Sequence, residues 1–308
     1  SRGLGDVYKR QGYYIRSIGI KRYLLFFAYI CIYLCSVSAG ERHIYINAQK
    51  TRSQQNGTEQ HPFSSLEQAM LFLNTDNRKR QRTETAKEPT VIHIDSDLKE
   101  EEAVFLAVPV KIIGKNNPRI VFGDNAGFII DHTSLEIENC RISRTEKPTE
   151  PRTVPIIYGS DGTVTLSSVD ISVREGSEAV ILRNSTFSCR DTKLASVQTA
   201  PALLIRADKS VLEVDRSVCT AQGKTAVLFS LTDSSCSLMH TDCTVMSEYA
   251  GRIAVLRHST IKADTLTCTN KAPAGELSDT AFIADTQSKV ELIAQPELHG
   301  FVHAIEKR

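Results

Sequence analysis

A short apolar unit recurs along the chain from residue 135 onward. In each unit, four apolar or small residues are separated by two, three and two positions, as in Leu135, Ile137, Cys140 and Ile142. The units begin at residues 135, 164, 187, 212, 236, 261 and, with a weaker match, 290, so successive units start 23 to 29 residues apart. A repeat of this length indicates stacked turns, each of which buries its inward face against its neighbours.

Two further features accompany each unit. A second apolar segment precedes it, at residues 127–130, 155–158, 179–182, 202–205, 226–229, 253–256 and 281–284. Two positions before each unit stands a small or hydroxyl-bearing residue, namely Thr133, Gly162, Ser185, Ser210, Ser234, Ser259 or Ser288. The period is too short for βαβ units, which need about 30 residues, and helical periodicity is missing. The pattern therefore predicts an all-β solenoid whose corner hydroxyls bond the backbone.

A short helix is predicted before the first turns of the solenoid. Ser64 and Ser65 stand three residues before Glu67 and Gln68, which matches a capping box. The apolar residues that then recur at helical spacing are Leu66, Met70 and Leu73. Such a helix can cover the open first turn, whose unpaired edge would otherwise invite aggregation.

The N-terminal motifs resemble those of right-handed parallel β-helix proteins of the pectin-lyase-like superfamily. Exported bacterial members often open with a strand, an N-G-T loop and a P-F-x-[ST]-[LI]-x-x-A helix start, and residues 44–47, 56–58 and 62–69 follow this order. Segments 90–94 and 110–114 are similar to the first coils of the family. The resemblance implies a right-handed parallel β-helix with a short N-terminal capping helix, and it implies polysaccharide or a cell-surface glycan as the ligand.

The first 39 residues are predicted to lie outside the fold. Residues 1–11 match the in-frame translation of a sequencing-library adapter, and we exclude them as an artefact. Residues 12–39 predict a signal peptide, with basic residues before an apolar run at 23–34 and small residues up to Ala39. Because the apolar run is short for a span of about 20 residues, we expect cleavage, no stable membrane span afterwards, and a periplasmic, cell-surface or extracellular location.

The rest of the chain divides into two regions. Residues 40–89 are predicted to hold the N-terminal strand, the capping helix and a basic loop that contains the run at 77–82. We expect this run to be solvated, with a contact to anionic surface polymers as the alternative. Residues 90–308 are predicted to form the β-helix. Because residues 300–305 resemble the start of another coil, further coils or a partner are expected at that end.

The charge balance disfavours nucleic acid as a partner. The 308 residues contain 37 basic and 36 acidic side chains, for a net charge of +1. Six basic residues and one acidic residue lie in segment 1–39, so the mature chain has 31 basic and 35 acidic residues and a net charge of −4. A mildly acidic chain of this kind lacks the basic excess that nucleic-acid-binding surfaces usually show.

The six mature cysteines form no metal-binding motif, since none is arranged as C-x-x-C. Cys219, Cys243 and Cys268 occupy the same slot of three successive units, where Leu194 and Ile171 stand in earlier units. This equivalence favours a column of small core residues, because free cysteine is commonly buried. A disulfide between neighbouring coils is the alternative.

Polar residues at the strand ends are the candidates for ligand binding, since strand ends and loops display side chains on a rigid scaffold. The candidates are Asp131, His132, Tyr158, Asp161, Arg183, Arg206, Asp208, Arg257 and His258. Arginines and carboxylates on one face can hold a hydroxyl-rich or acidic glycan through charge-assisted hydrogen bonds. The alternative interpretation is a solvated solenoid face. Because Arg206 is shifted by two positions relative to Arg183, no continuous cationic stripe is expected.

Catalysis is not predicted. The clustered aspartates, the G-H-G turn and the R-I-K triplet of the superfamily's hydrolases are missing, and no adjacent carboxylate pair is evident. Residues 130–132 are similar to an I-D-H signature of its lyases, which bind calcium. We therefore expect a non-catalytic polysaccharide-binding protein of the cell envelope without a metal or another cofactor. The alternatives are a polysaccharide lyase, with calcium, a glycoside hydrolase, or a structural or adhesive fragment of a larger surface protein.

Overall fold

The computed structural model describes residues 41–50, 55–80, 90–145, 154–176, 178–271, 280–301 and 303–307, with backbone only for 77–80. The predicted artefact and signal peptide at residues 1–39 lie outside this part of the chain. In the described part, no helix is both long and apolar enough to cross a membrane.

The described elements are one helix and a series of mostly short strands. They are β1 (Arg42–Ile46), α1 (Leu66–Arg80), β2 (Thr90–Ile94), β3 (Leu98–Glu100), β4 (Val104–Leu106), β5 (Val110–Gly114), β6 (Arg119–Phe122), β7 (Phe128–Asp131), β8 (Ser134–Glu138), β9 (Arg141–Arg144), β10 (Ile157–Ser160), β11 (Thr163–Ser167), β12 (Asp170–Arg174), β13 (Val180–Arg183), β14 (Thr186–Arg190), β15 (Lys193–Val197), β16 (Ala202–Asp208), β17 (Val211–Asp215), β18 (Val218–Thr232), β19 (Ser235–Arg257), β20 (Thr260–Asn270), β21 (Thr280–Ala284), β22 (Lys289–Leu292), β23 (Glu297–His299) and β24 (His303–Lys307).

Parallel pairing stacks these strands into three faces. Face 1 contains β1, β2, β5, β8, β11, β14, β17, β22 and the first parts of β19 and β20. Face 2 contains β3, β6, β9, β12, β15, β23 and parts of β18, β19 and β20. Face 3 contains β4, β7, β10, β13, β16, β21, β24 and the last parts of β18 and β19. The chain is thus an all-β parallel β-helix of about eight turns, which confirms the predicted fold class.

The inward side chains of all three faces form one apolar core. Leu135, Ile137, Cys140 and Ile142, which define the first unit of the repeat, are all buried. Phenylalanines on different faces, including Phe122, Phe187 and Phe229, are among the largest fully buried side chains. In a parallel sheet, equivalent positions of successive strands stack, so a repeat that keeps them apolar produces a continuous core.

A ladder of serines joins successive turns at the corner between face 3 and face 1. Ser210 donates its hydroxyl proton to the carbonyl of Asp208 at 2.7 Å, and its hydroxyl oxygen accepts the backbone N–H of Ser185 at 3.1 Å. Ser234 repeats both bonds one turn later, with the carbonyl of Thr232 and the N–H of Ser210. The prediction that the corner hydroxyls bond the backbone is therefore confirmed for the serines, whereas the buried Thr133 hydroxyl has no hydrogen-bond partner in the described part of the chain.

The residue directly before the serine, threonine or glycine at this corner adopts a left-handed backbone conformation. At this corner φ lies between 47° and 51° for His132, Asp161, Asn184, Lys209, Asp233 and His258. After glycine, Asn, Asp and His are the residues most often found in this conformation, whereas lysine pays a steric cost. The corner therefore displays one polar side chain per turn.

Helix α1 closes the first turn as predicted, with Leu66, Met70 and Leu73 buried. The Ser65 hydroxyl oxygen accepts the backbone N–H of Gln68 at 3.2 Å, and the Gln68 side chain accepts the N–H of Ser64 at 3.1 Å. This is a capping box in which the return bond is displaced by one residue. The prediction that residues 77–82 form a loop is wrong at its start, because α1 continues to Arg80; residues 81 and 82 lie outside the described part.

A second cap for α1 comes from the first turn of the solenoid. Glu100, whose exposed fraction is 2%, accepts the backbone N–H of Leu66 at 2.6 Å and that of Glu67 at 3.3 Å. Burial raises the pKa of the Glu100 carboxyl, and the two backbone bonds oppose that rise. A carboxylate at a helix N-terminus interacts favourably with the helix dipole, which explains why an acid is retained in this buried place.

We expect Glu100→Ala to lower the free energy of unfolding by about 1–3 kcal/mol, because the buried N–H of Leu66 and the partly buried N–H of Glu67 lose their acceptor. Urea denaturation measures this loss. The neighbouring Glu101→Ala is the control: Glu101 forms an exposed ion pair with Lys99 at 2.5 Å, and its removal should cost less than about 1 kcal/mol. Equal effects of the two substitutions would contradict the capping role of Glu100.

The same carboxyl predicts a pH dependence. The pKa of Glu100 is higher in the folded state than in the unfolded state, so the folded state holds the proton more tightly. Protonation of Glu100 therefore stabilises the fold fully below the unfolded-state pKa, and this stabilisation is lost as pH rises through the folded-state pKa. Over that interval the wild type should lose stability relative to Glu100→Gln, which does not titrate.

The cysteine column lies in the core. Cys219 pairs in register with Cys243, and Cys243 with Cys268, on face 2. All six described cysteines are buried free thiols. Burial raises the pKa of the Cys268 thiol to about 12. Residues opposite one another on neighbouring strands sit about 4.8 Å apart, which exceeds the usual Cβ separation in a disulfide. The structure therefore contains the core column and not the alternative disulfide.

Candidate functional site

The nine residues predicted to bind ligand all lie on face 3 or on the corner that joins it to face 1. The six on strands of face 3 are Asp131, Tyr158, Arg183, Arg206, Asp208 and Arg257. The other three, His132, Asp161 and His258, occupy left-handed positions at the corner. Whether they bind a ligand stays a prediction, but they do share one side of the solenoid.

One row of outward side chains crosses face 3 perpendicular to the strands. In order, it consists of Asp131, Ser160, Arg183, Asp208, Thr232 and Arg257. Because neighbouring strands lie about 4.8 Å apart, the row is about 24 Å long. Arg206 pairs with Ile181 and therefore belongs to a different row. The expectation that the arginines form no continuous cationic stripe is confirmed.

Five of the nine residues come together on three successive turns. We call Asp131, His132, Tyr158, Asp161 and Arg183 the lateral cluster. The Arg183 guanidinium lies over the Tyr158 ring, 5.9 Å from its centroid, and the His132 Nδ1 atom is 2.9 Å from Oδ1 of Asp131. The cluster thus combines an aromatic surface, a cation, an imidazole and two carboxylates.

Asp161 is fixed by two hydrogen bonds. The Asn184 amide donates to Oδ1, and the Ser160 hydroxyl donates to Oδ2 at 3.0 Å. These two donors, the Asn184 amide first, hold the pKa of the Asp161 carboxyl below its ordinary value. Asp161 therefore serves as a charged hydrogen-bond acceptor at neutral pH.

A shallow pocket of about 360 Å³ adjoins the lateral cluster. It follows the corner across three turns, and its lining residues are Pro109, His132, Thr133, Ser134, Asp161, Gly162, Thr163, Asn184 and Thr186. The repeat explains this composition: each turn contributes its left-handed corner residue and the hydroxyl residues at the start of the next strand of face 1. The pocket therefore offers hydroxyl, amide, carboxylate and imidazole groups on rigid backbone.

The carboxylates of Asp131 and Asp161, whose proximity the sequence did not predict, are close in the lateral cluster. Asp131, His132 and Asp161 each offer one ligand atom, and these atoms lie within 4.8 Å of one another. The expectation that no adjacent carboxylate pair exists is therefore wrong, because Asp161 directly follows Ser160, which pairs with Asp131. All three side chains are exposed. Calcium takes six to eight oxygen ligands, which is more than this trio supplies.

Of the remaining predicted residues, Asp208 borders the lateral cluster, whereas Arg206 and His258 have ion-pair partners of their own. Asp208 is next to Arg183 in the row, and Arg206 forms an ion pair with Glu178. Three turns beyond Arg183, His258 lies 3.5 Å from Asp233 and 3.7 Å from Asp285. These groups stabilise the surface locally and extend the polar face, but they do not share a pocket with the lateral cluster.

Two other pockets consist of residues that the sequence analysis did not select. One, of about 430 Å³ on face 1, includes Tyr45, Glu59, His93 and Asp95, and the rings of Tyr45 and His93 are stacked with centroids 4.9 Å apart. The other lies on face 2 and is rich in arginine. Most residues of the face 1 pocket come from turns before the first complete repeat unit, where no register was available to align them. In the face 2 pocket this is true of Arg119.

Comparison with known proteins gives one weak structural similarity. No protein-family model matches this sequence, and no match was found among the curated proteins. Among solved structures, the chain is similar to a GH136 lacto-N-biosidase from Eubacterium ramulus, with 10% sequence identity and a TM-score of 0.34 over 84% of this chain and 68% of that one. A similarity this low carries no argument about activity.

Proposed function

We propose that this protein is an exported, non-catalytic member of the pectin-lyase-like β-helix proteins and binds polysaccharide along face 3. The observation that carries the proposal is the lateral cluster, where the Tyr158 ring and the Arg183 guanidinium lie beside exposed carboxylate, imidazole and amide groups. Export rests on the signal sequence predicted at residues 12–39.

The chemistry of the lateral cluster suits a sugar chain. Aromatic rings offer an apolar surface to the C–H face of a pyranose, while arginine and carboxylate groups form charge-assisted hydrogen bonds with hydroxyls. The row on face 3 is about 24 Å long, so it can contact several consecutive sugars. Because its side chains stand on strands of a rigid solenoid, little backbone conformational entropy is lost on binding.

The electrostatics support binding without hydrolysis. A general acid needs a raised pKa to be protonated at neutral pH, whereas the pKa of Asp161 is lowered. Asp131 and His132 have exposed side-chain fractions of 66% and 74%, so water is not excluded from the carboxylates.

We expect Tyr158→Ala and Arg183→Ala each to weaken binding of the recognised polysaccharide by roughly tenfold, because each removes one contact group. Affinity gel electrophoresis of protein that begins at Gly40, in gels with and without each polysaccharide, measures this change. Lys262→Ala is the matched control, since Lys262 is exposed on face 1. Retention unchanged in both face 3 variants would contradict the proposal.

A glycoside hydrolase or polysaccharide lyase is the second candidate. It is favoured by one observation, the closeness of the carboxylates of Asp131 and Asp161, since retaining glycosidases place two carboxyl groups about 5–5.5 Å apart. If this candidate is correct, Asp131→Asn abolishes release of reducing ends while retention persists. Under the main proposal there is no release to abolish, and chelation of calcium leaves retention unchanged.

A further inference from the structure

Two histidines meet on the outer side of face 1, near the N-terminal end of the solenoid. His43 stands on β1 and His93 on β2, and the Nδ1 atom of His43 lies 3.0 Å from Nε2 of His93. Tyr45 pairs in register with His93. His43 precedes Tyr45 by two residues, so its side chain projects from the same side of the sheet. We call His43 and His93 the histidine pair.

The surroundings of the histidine pair favour a cation. The Tyr45 ring stacks on the His93 ring with centroids 4.9 Å apart, which helps to fix the orientation of His93. His93 also lines the pocket of about 430 Å³ on face 1, where Glu59 and Asp95 against Lys115 give a net charge of −1 when the histidine is neutral. Both carboxylates act electrostatically on His93. A cation at the histidine pair therefore lies beside a pocket of opposite charge.

The separation of the two facing nitrogen atoms suits two neighbouring ligands of one metal ion. With metal–nitrogen bonds of about 2.0–2.1 Å, such ligands are about 2.9 Å apart in a square-planar site and about 3.4 Å apart in a tetrahedral one. The observed 3.0 Å is closer to the square-planar value. Copper(II) and nickel(II) prefer this geometry, and copper(II) binds nitrogen ligands the more tightly of the two.

The two imidazoles form a hydrogen bond in the structure, with ring centroids 5.3 Å apart and ring planes inclined by 26°. To bind a metal ion, the proton of this bond moves to the far nitrogen of its own ring, so both facing nitrogens become ligands of neutral imidazoles. The rings must also turn until the two lone pairs converge. The χ2 torsion of histidine is broad, and His43 is exposed, so this rotation costs little.

We propose that the histidine pair binds a divalent transition-metal ion, with copper(II) bound most tightly. His43 supplies Nδ1 and His93 supplies Nε2, while the other coordination positions face water or the adjacent pocket. Imidazole is a suitable ligand for copper, nickel and zinc. This inference is independent of the proposed function, and it replaces the expectation of a protein without a metal.

The test is a calorimetric titration of copper(II) into protein that begins at Gly40 and carries no polyhistidine tag. We expect one ion to bind at the histidine pair, and His43→Gln/His93→Gln should weaken this binding by at least tenfold. His132→Gln is the matched control, because the described residues include one three-residue group of potential metal ligands, Asp131, His132 and Asp161. This control should leave the affinity for copper(II) within about twofold.

Electron paramagnetic resonance of the copper-loaded wild type provides a second readout that does not depend on how the variants fold. We expect the spectrum to show two nitrogen ligands, and a single one in His43→Gln. Fewer than two nitrogen ligands in the wild type would overturn the proposal. So would the absence of binding, or an affinity that falls in His132→Gln but not in the double variant, which would assign the ion to the lateral cluster.

The outcomes also separate this inference from the proposed function. The double variant His43→Gln/His93→Gln should be retained by polysaccharide like the wild type, because the histidine pair lies on face 1 and the lateral cluster on face 3 and its corner. Failure of retention in the wild type would contradict the proposed function and leave the copper titration as it stands. Failure of copper binding would leave the retention assay equally unaffected.

Discussion

Phe229→Ala is expected to lower the free energy of unfolding by about 3–5 kcal/mol, the range for a fully buried phenylalanine. Phe229 has an exposed fraction of 0% and lies on face 3 between Ile205 and Ala254 of the neighbouring turns. The solenoid backbone is held by ladders on both sides, so it cannot close the cavity that the missing ring leaves. Urea denaturation followed by far-UV circular dichroism measures the loss.

Val211→Ala is the control for this prediction, because Val211 points outward from face 1 and is 47% exposed. Its loss should change the free energy of unfolding by less than about 1 kcal/mol. If Phe229→Ala cost no more than Val211→Ala, the inward orientation of residues 226–229 would be wrong, and with it the register of face 3.

Gly114→Ala is expected to cost at least about 3 kcal/mol, at the upper end of overpacking effects. A Cβ at Gly114 would overlap the Asn139 carbonyl oxygen and lie 2.6 Å from Cδ of Pro118 and 2.8 Å from Sγ of Cys140. The surroundings cannot move away easily, because the Asn139 side chain donates a 2.7 Å hydrogen bond to the Gly114 carbonyl. This corner therefore needs glycine for space between successive turns.

Gly123→Ala provides the matched comparison. A Cβ at Gly123 meets the end of the exposed Glu101 side chain at 2.5 Å, and that side chain can swing into solvent. The expected change is within about 1 kcal/mol. Thermal unfolding of the two variants side by side tests the difference, and a larger loss for Gly123→Ala would contradict the packing described at both positions.

The fold could be predicted because its core follows a single rule. Every turn must place apolar residues at equivalent inward positions. Leu135, Val164 and Phe187 occupy one such position in three successive turns, and the repeat in the sequence shows this equivalence. The corner serines were predictable for a related reason: each bonds the backbone of its own turn and of the preceding one. The second cap on α1 was not predictable, since Glu100 lies 34 residues beyond the N–H of Leu66 that it accepts.

The candidate site was predictable only in part. Arg183 and Arg257 each stand four residues before the start of a repeat unit, so the sequence alone places them on the same side of the solenoid. Arg206 stands two residues further from the start of its unit, which predicts its offset. The proximity of Asp131 and Asp161 does not, because the two turns are separated by a longer step and their register emerges only from the strand pairing. The arginine-rich pocket on face 2 was missed because Arg119 precedes the first complete unit, so its position beside Arg141 had no counterpart in the repeat.

The most direct test measures two quantities on one panel of plant, algal and host polysaccharides. These are the retention of the protein in gels that contain each polysaccharide and the release of reducing ends from it. Protein beginning at Gly40 would be used, with and without calcium. The account predicts retention by at least one polysaccharide, loss of that retention in Tyr158→Ala or Arg183→Ala, and no sustained release of reducing ends. Sustained release from any member of the panel, or retention by none, would contradict a non-catalytic polysaccharide-binding β-helix.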